Sequence, residues 1–303
     1  YDVRPFYATG AKALVGSATL SYRQHIAEKS LYIVNYSLQG TTFHYADNLS
    51  YSTITPAVYF GFRPSDFRSN EKRFVSFRNV NVFRDKTPEI DTDPDYSVFN
   101  ARYNYIDNNI LSYRSWFADV QVAEHFSKLA VTAEYRKLFR NNRQLNLRLF
   151  AGKFIHNTTG SDFFSFALDR PTDYLFDYNY LGRSEDSGLY SQQIIIAEGG
   201  FKSKLGNAFA NDWMLTGNAS INLWRWIELY GDAGLVRNSG ADPQFVYDSG
   251  IRLNLVTDYF ELYLPLYSNN GWEISQPAYN RKIRFIITLS PRTLTGLFTR
   301  KWF

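Results

Sequence analysis

The sequence contains no cysteine and only one methionine. A chain without thiols forms no disulfides, and it suits a compartment where stray thiols would be oxidised, such as the envelope of a Gram-negative bacterium. Long hydrophobic runs are also absent, because the longest aliphatic stretch is about Ile194–Ala197. A membrane-spanning helix requires roughly 20 apolar residues, so the sequence excludes one. Mean hydropathy of −0.34 would by itself suggest a soluble protein.

Catalytic and ligand-binding motifs are missing as well. There is no HExxH, GxSxG, Walker loop or GxGxxG pattern. Each histidine stands alone, with no second histidine or carboxylate at metal-ligand spacing: His25, His44, His125 and His156. The acidic stretch Asp85–Asp95 could hold a divalent cation, but such a run is more often a solvated loop. We therefore expect no catalytic residue, metal site or cofactor in this chain.

A strong excess of charge of one sign is lacking too. The net charge of +4 over 303 residues is small and evenly spread, which argues against a nucleic-acid partner. No charged-then-apolar leader precedes Tyr1, so we expect that any signal peptide or upstream domain has been removed.

Aromatic residues are abundant, at 18% of the chain, and apolar residues recur at every second position. In Trp213–Leu223, for example, Trp213, Leu215 and Ile221 alternate with polar residues. A period of two predicts β-strands. The candidate strands are 12–25, 30–45, 50–63, 72–84, 96–108, 109–123, 128–138, 144–156, 173–181, 188–199, 213–224, 226–237, 244–257, 258–267 and 281–290, with residues 1–9 as a possible first strand.

Alternation is compatible with a soluble sandwich or with a membrane barrel, and three features favour the barrel. The segments run to about 10–14 residues, nearer a tilted spanning strand than a soluble one. Aromatics gather at segment ends, as an interfacial belt requires. Short and long connections also alternate along the chain, which predicts short periplasmic turns and longer extracellular loops. The sequence thus predicts an all-β, transmembrane, antiparallel up-and-down β-barrel of about 14–16 strands, with residues 1–303 as one domain.

The predicted polar face of the strands carries charges that would line the lumen: Glu134, Arg136, Arg148, Glu228, Asp232, Asp248, Arg252, Glu261 and Arg284. They could set the selectivity of an open pore, or pair with one another in a filled interior. Bulky residues share that face and favour the filled interior: Phe150, Phe154, Tyr230 and Tyr263. A hydrolase site in the barrel mouth is a third possibility, but periodicity does not identify its residues.

A second set of residues is predicted to lie at the membrane interface: Trp213, Trp224, Trp226, Tyr259, Phe260, Trp302 and Phe303. The last two belong to a C-terminal tail, 291–303. The tail has the spacing of a short amphipathic helix at the inner interface, but it could also continue the last strand to a terminal aromatic. Both alternatives place Phe303 at lipid.

Several stretches carry a family resemblance, among them TAEYRKLFRNNRQLNLRLFAG (132–152), DRPTDYLFDYNYLGRSE (169–185), YDSGIRLNLVTDYFELYLPLYSNNGWE (247–273) and KIRFIITL (282–289). They resemble the C-terminal region of Bacteroidetes-type gluzincin (M1-like) metallopeptidases, in which a zinc aminopeptidase-like domain precedes a membrane region. The resemblance covers about residues 130–303. It implies that this chain is the membrane portion, because the zinc motif of the family is absent from these residues.

These observations predict an integral protein of the bacterial outer membrane that acts as an anchor or scaffold, without catalysis of its own. The alternatives are a pore or transport channel and the membrane part of a zinc metallopeptidase. The expected partners are outer-membrane lipid and lipopolysaccharide, the barrel assembly machinery during insertion, and other envelope proteins.

Overall fold

A computed structural model describes residues 2–8, 13–26, 30–46, 49–64, 66, 68–84, 95–141, 143–159, 162–170, 172–178, 188–195, 198–256 and 260–287. Within these ranges, no helix is long and apolar enough to cross a membrane, a finding that concerns helices alone. The only helical turns described are short 3₁₀ turns, at Asp162–Phe164, Tyr190–Gln192, Glu273–Ser275 and Tyr279–Arg281.

The described residues form a large antiparallel sheet, which confirms the predicted all-β, up-and-down fold. Consecutive strands pair with each other along nearly the whole ladder. The strands are β1 (Asp2–Ala8), β2 (Ala13–His25), β3 (Leu31–Ala46), β4 (Leu49–Phe62), β5 (Glu71–Arg84), β6 (Tyr96–Asn108), β7 (Ser112–Ala123), β8 (Phe126–Leu138), β9 (Gln144–Asn157), β10 (Phe166–Ala167), β11 (Phe209–Ala210), β12 (Trp213–Trp224), β13 (Ile227–Arg237), β14 (Gln244–Val256), β15 (Phe260–Ser268), β16 (Gly271–Trp272) and β17 (Arg284–Ile287).

The large sheet contains 15 strands, all except the separate pair β10 and β11. Residues 1–9 do supply a first strand, β1, which pairs with β2. Two predicted strands are wrong. The described parts of 173–181 and 188–199 are turns and irregular backbone, and β9 pairs directly with β12 across the gap. Some of their apolar residues, such as Tyr174 and Ile194, are buried without belonging to a strand, whereas Leu189 is exposed.

Antiparallel order places connections alternately at the two ends of the sheet. One end, which we call the loop end, carries the three longest connections, 85–95, 158–212 and 269–283, together with shorter ones at 9–12, 47–48, 124–125 and 238–243. The other, the turn end, carries 26–30, 63–70, 109–111, 139–143, 225–226 and 257–259. The longest connections are therefore at one end, as the sequence predicts.

The connection 158–212, which we call the inner segment, lies against a single face of the sheet. Its described residues contact inward side chains or backbone of ten strands. The contacts are Phe176 with Tyr51 (β4), Asp177 with Arg78 (β5), Tyr174 with Tyr96 (β6) and Gln121 (β7), Phe164 with Lys128 (β8), Phe166 with Phe150 (β9), Gly199 with Asn218 (β12), Lys202 with Asp232 (β13), Ser203 with Asp248 (β14) and Ile194 with Phe285 (β17). A single segment reaches strands from β4 to β17 only if the sheet curls around it.

The interior enclosed by the sheet has two regions, one apolar and one polar. Towards the loop end, apolar side chains of the inner segment and the strands form a hydrophobic core that includes Phe126, Phe154, Phe166, Leu168 and Met214. Towards the turn end, the inward face is polar and charged. The outward face of the strands is apolar, and its side chains remain exposed.

Candidate functional site

Eight of the nine predicted charged residues are buried or partly buried on the inward face, and Arg136 is exposed. Six of them line a cavity of about 420 Å³: Glu134, Arg136, Arg148, Asp232, Arg252 and Glu261. The other three are buried: Glu228, Asp248 and Arg284. The bulky inward residues Phe150, Phe154, Tyr230 and Tyr263 are buried as well.

A group of charges near the turn end is paired across neighbouring strands. Arg252 on β14 lies between two glutamates, donating from Nη1 to Glu228 Oε2 at 3.0 Å and from Nη2 to Glu261 Oε1. Tyr263 donates to the second oxygen of Glu261 at 2.7 Å, and Asn254 donates to Glu228. The ladder register places Arg252 opposite both Glu228 and Tyr263. Because each carboxylate is satisfied, this group ties strands β13, β14 and β15 together.

A second group attaches the inner segment to the strands. The ammonium of Lys202 contacts both carboxylate oxygens of Asp232, at 3.0 and 2.9 Å. Asp248 Oδ2 accepts from the backbone N–H groups of Lys202 and Ser203, at 3.0 and 2.5 Å. The side-chain amide of Asn218 joins the two sides, donating to Asp232 Oδ1 at 2.9 Å and to the carbonyl of Gly199 at 3.1 Å.

Arg148 on β9 completes this attachment. Its Nη1 donates to the carbonyl of Glu198 at 2.7 Å and to Asn218 Oδ1 at 3.1 Å, while its Nε lies 3.8 Å from Glu134 Oε1. The sequence predicts Arg148 and Asp232 as lumen charges but not Lys202 or Glu198. Both missed residues fall in or beside a region interpreted as strand. The Gly199–Gly200 pair there was the available signal for a close backbone approach.

The structure shows such a close backbone approach at Gly200. Its φ is +72°, and a Cβ built on it would lie 2.6 Å from Asn218 Oδ1 and 2.9 Å from Arg148 Nη1. Gly199 has similarly little room, because its Cβ would lie 2.6 Å from the Cα of Leu168. Only glycine allows the backbone to pass this close to the strand side chains.

A buried lysine holds the part of the inner segment nearer the loop end. Lys128 on β8 is 2% exposed, and its Nζ donates to the carbonyl of Phe164 at 2.9 Å. Four aromatic rings surround the same nitrogen, at 4.7 Å (Phe166), 4.8 Å (Tyr174), 5.3 Å (Phe154) and 5.8 Å (Phe126). The cation is thus stabilised by ring faces and one carbonyl rather than by a carboxylate.

The cavity lies between these attachments and the turn end, where residues 108–112 form part of its wall. Its lining mixes cations, anions and amides in near balance and includes no histidine among the described residues. Nor do the described residues contain a group of three or more His, Cys, Asp or Glu side chains that could hold a metal ion. The arrangement is therefore suited to holding water or a small polar molecule, and it contains no nucleophile–histidine–acid group.

The other predicted residues are dispersed. Trp224 and Trp226 are exposed at the turn end, and Trp213 and Phe260 are partly buried at strand ends. His25, His44 and His156 lie on strands, and His125 lies in the turn between β7 and β8. Tyr259, the tail 291–303 and the acidic stretch apart from Asp95 lie outside the described residues. Asp95 accepts a hydrogen bond from the backbone N–H of Arg84 at 3.1 Å.

Comparison with known proteins gives likenesses among solved structures alone. No protein-family model matches this chain, and no curated protein does. Among solved structures, the chain is similar to BamA from Haemophilus ducreyi lacking POTRA domains 1–3, with a TM-score of 0.48 and 9% identity. The match covers 90% of this chain and 60% of that one, so the chain spans less than two thirds of the protein that it matches.

Proposed function

We propose that this chain is an outer-membrane β-barrel that anchors or scaffolds a larger envelope protein or complex, with a lumen closed by its own inner segment. One observation carries the proposal: charged side chains are enclosed while large apolar side chains are exposed. Leu149, for example, is 61% exposed, whereas Asp232, on the opposite face of the sheet, is 3% exposed. A protein folded for water has the reverse arrangement, and a barrel in lipid has this one.

The outward apolar band has a height that suits a bilayer. Exposed aromatics border it at both ends, with Trp224 and Trp226 at the turn end and Phe245 nearer the loop end. In the ladder, Trp224 pairs with Ile227, and Phe245 pairs with Leu235. At about 3.3 Å per residue and a strand tilt of about 40°, the step from Ile227 to Leu235 spans about 20 Å. The apolar band of outer-membrane barrels is about 25 Å tall.

The filled lumen favours an anchor over a diffusion pore. An open pore needs a continuous polar passage, but the described part of the inner segment places buried aromatic and aliphatic side chains across the loop end of the interior. The membrane lipids would be the immediate partners of such a barrel, and the barrel assembly machinery its partner during insertion.

Single-channel recording in planar bilayers tests the closed lumen. We expect no steady ohmic conductance from the intact chain. In a matched variant, residues 162–208 are replaced by a short Gly/Ser linker, and heat-modifiable gel mobility checks that the barrel has folded. The variant should conduct if the inner segment closes the lumen. Steady conductance of the intact chain would overturn the anchor proposal.

A transport role is the second candidate, and the cavity of about 420 Å³ favours it. The cavity gives small solutes a polar space below the inner segment, so a conduit would need only that segment to move. Conductance that appears and disappears in the intact chain would support transport and contradict a permanently closed anchor.

We also infer from the sequence resemblance that the chain is the membrane part of a zinc metallopeptidase. The length of the encoded precursor tests this directly. A reading frame that begins just upstream of Tyr1 would remove the connection, whereas an upstream zinc-binding domain would support it.

A further inference from the structure

Two neighbouring hairpins at the turn end form a basic and aromatic surface, which we call the rim patch. Its cations are Lys137, Arg140, Arg143 and Arg225, and its aromatics are Phe139, Trp224 and Trp226. The hairpins β8–β9 and β12–β13 adjoin because β9 pairs with β12. A hydrogen bond of 3.1 Å from the backbone N–H of Gln144 to Asn222 Oδ1 joins their ends.

All seven residues of the rim patch are exposed. Within the part of the chain that the structure describes, no carboxylate lies within 4.0 Å of its four cations. Two other cations at the turn end are accompanied by acids. Arg73 lies 3.5 Å from Glu71, and the ladder places Arg114 opposite Asp107. Among the described residues, the rim patch is therefore a positive surface whose cations have no paired carboxylate.

Ring contacts orient two of the cations. The ammonium of Lys137 lies 5.3 Å from the ring centroid of Phe139, and the guanidinium of Arg225 lies 5.9 Å from that of Trp224. Arg225 has a φ of +40°, and its carbonyl accepts from the side-chain amide of Asn222 at 3.2 Å, which ties the turn to its own strand. The turn thus presents a guanidinium between two exposed tryptophans.

This combination suits one class of ligand. Tryptophan side chains sit at headgroup depth in a bilayer, so the cations beside them meet lipid headgroups. A guanidinium matches phosphate oxygens in a bidentate manner. Zwitterionic lipids also bring an ammonium group, which has no carboxylate to pair with in the rim patch. Lipids with a net negative headgroup avoid that mismatch.

We propose that the rim patch binds the headgroup phosphates of anionic phospholipids in the leaflet at the turn end. The proposal rests on the proposed function, since it requires the barrel to lie in a bilayer. It adds a lipid preference and a position for the membrane surface.

Native mass spectrometry of the full chain in nonionic detergent tests the preference. Phosphatidylglycerol and phosphatidylcholine with identical acyl chains are titrated separately, and bound lipid is counted. We expect tighter retention of phosphatidylglycerol. The triple variant R140Q/R143Q/R225Q should weaken it by about tenfold or more, because it removes three basic residues that attract anionic lipid. The control K153Q/R237Q/R281Q removes the same charge from residues toward the loop end and should retain the lipid.

Equal loss in the two triple variants would overturn the rim patch, since net charge would then account for the effect. Equal binding of the two lipids by the intact chain would overturn it as well. Insertion into phosphatidylcholine vesicles, followed by resistance to carbonate extraction, separates this failure from that of the proposed function. A chain that fails to insert contradicts the membrane role itself, whereas one that inserts without lipid preference contradicts only the rim patch.

Discussion

Arg78 and Asp177 are separated by 99 residues in the chain, yet they form a two-pronged ion pair, with Nη1 2.5 Å from Oδ1 and Nη2 2.7 Å from Oδ2. Arg78 lies on β5, and Asp177 belongs to the inner segment. The Nε of Arg78 also donates to Asn100 Oδ1 at 2.8 Å. The pair therefore fastens the inner segment to β5, far along the sheet from β13, where Lys202 contacts Asp232.

Replacing Asp177 by alanine should lower the free energy of unfolding by about 1–3 kcal/mol, because the side chain of Arg78 is largely enclosed and would lose its carboxylate partner. The matched control is Asp212→Ala. Asp212 pairs with Arg237 at 3.3 Å, and the side chain of Arg237 is 44% exposed, so its loss should cost less than about 1 kcal/mol. Urea titration of the protein in lipid vesicles, followed by tryptophan fluorescence, measures both. Equal costs would contradict a fastening role for Arg78.

Gly200→Ala should destabilise the attachment of the inner segment. An alanine at φ +72° is strained, by about 1–2 kcal/mol, and its Cβ would also collide with Asn218 and Arg148. Gly240 is the control, because its φ is +76° and a Cβ there meets nothing within 4 Å. The difference between the two alanine variants in unfolding free energy isolates the close contact. We expect Gly200→Ala to be the more costly; the reverse order would mean that the segment does not pack as closely as described.

The sequence predicts the strands well where apolar and polar residues alternate between the two faces of the sheet. The predicted strand 226–237 differs by one residue from β13 (Ile227–Arg237), and 144–156 differs by one from β9 (Gln144–Asn157). These strands have one face exposed and one face inward, so a period of two follows directly from their geometry. The inward charges could be predicted for the same reason, since Arg148 and Asp232 have fixed parity on long strands.

Alternation misleads at 173–181 and 188–199, where Tyr174 and Ile194 are buried without belonging to a strand. Tyr174 packs on Phe126 and donates to Gln121, while Ile194 packs beside Tyr230. Asp173 accepts from the backbone N–H groups of Asp177 and Tyr178, which turns the chain instead of extending it. A period of two shows which residues alternate along the chain, but it does not show which strands surround a segment. Lys202 and Glu198 could therefore not be placed from sequence.

Acid pH should destabilise the local structure of the connection 269–283. Glu273 is buried there, and although burial alone would raise the pKa of its carboxyl, hydrogen bonds from Lys282 at 2.5 Å and from Ser268 lower it below the ordinary value. A lowered folded-state pKa means that the stabilisation is complete above the ordinary glutamate pKa and is lost as the pH falls through the folded value. The window therefore lies below about pH 4.

Hydrogen exchange of the backbone near residues 268–276 measures this effect. In the intact chain, protection at these positions should decline as the pH falls below about 4, after correction for the intrinsic exchange rate. In Glu273→Gln, protection should already be reduced at neutral pH and should change little on acidification. A decline of equal size in both proteins would assign the pH dependence to other groups.

Leu149→Arg distinguishes lipid from water at the outward face of the strands. Leu149 lies near the middle of β9, between Ala133 and Gly217 in the ladder, and is 61% exposed. In a bilayer, an arginine at this depth should lower the free energy of unfolding by about 2–4 kcal/mol. An exposed substitution on a protein in water changes it by about 0.5 kcal/mol or less.

Leu223→Arg is the control. Leu223 is also outward and exposed but lies at the turn end, where the cost in a bilayer falls to about 0–1 kcal/mol. Refolding into vesicles from urea measures both variants, and a large difference between them is expected. If the two arginines cost the same small amount, the outward apolar face does not meet acyl chains, and the membrane role of the barrel is contradicted.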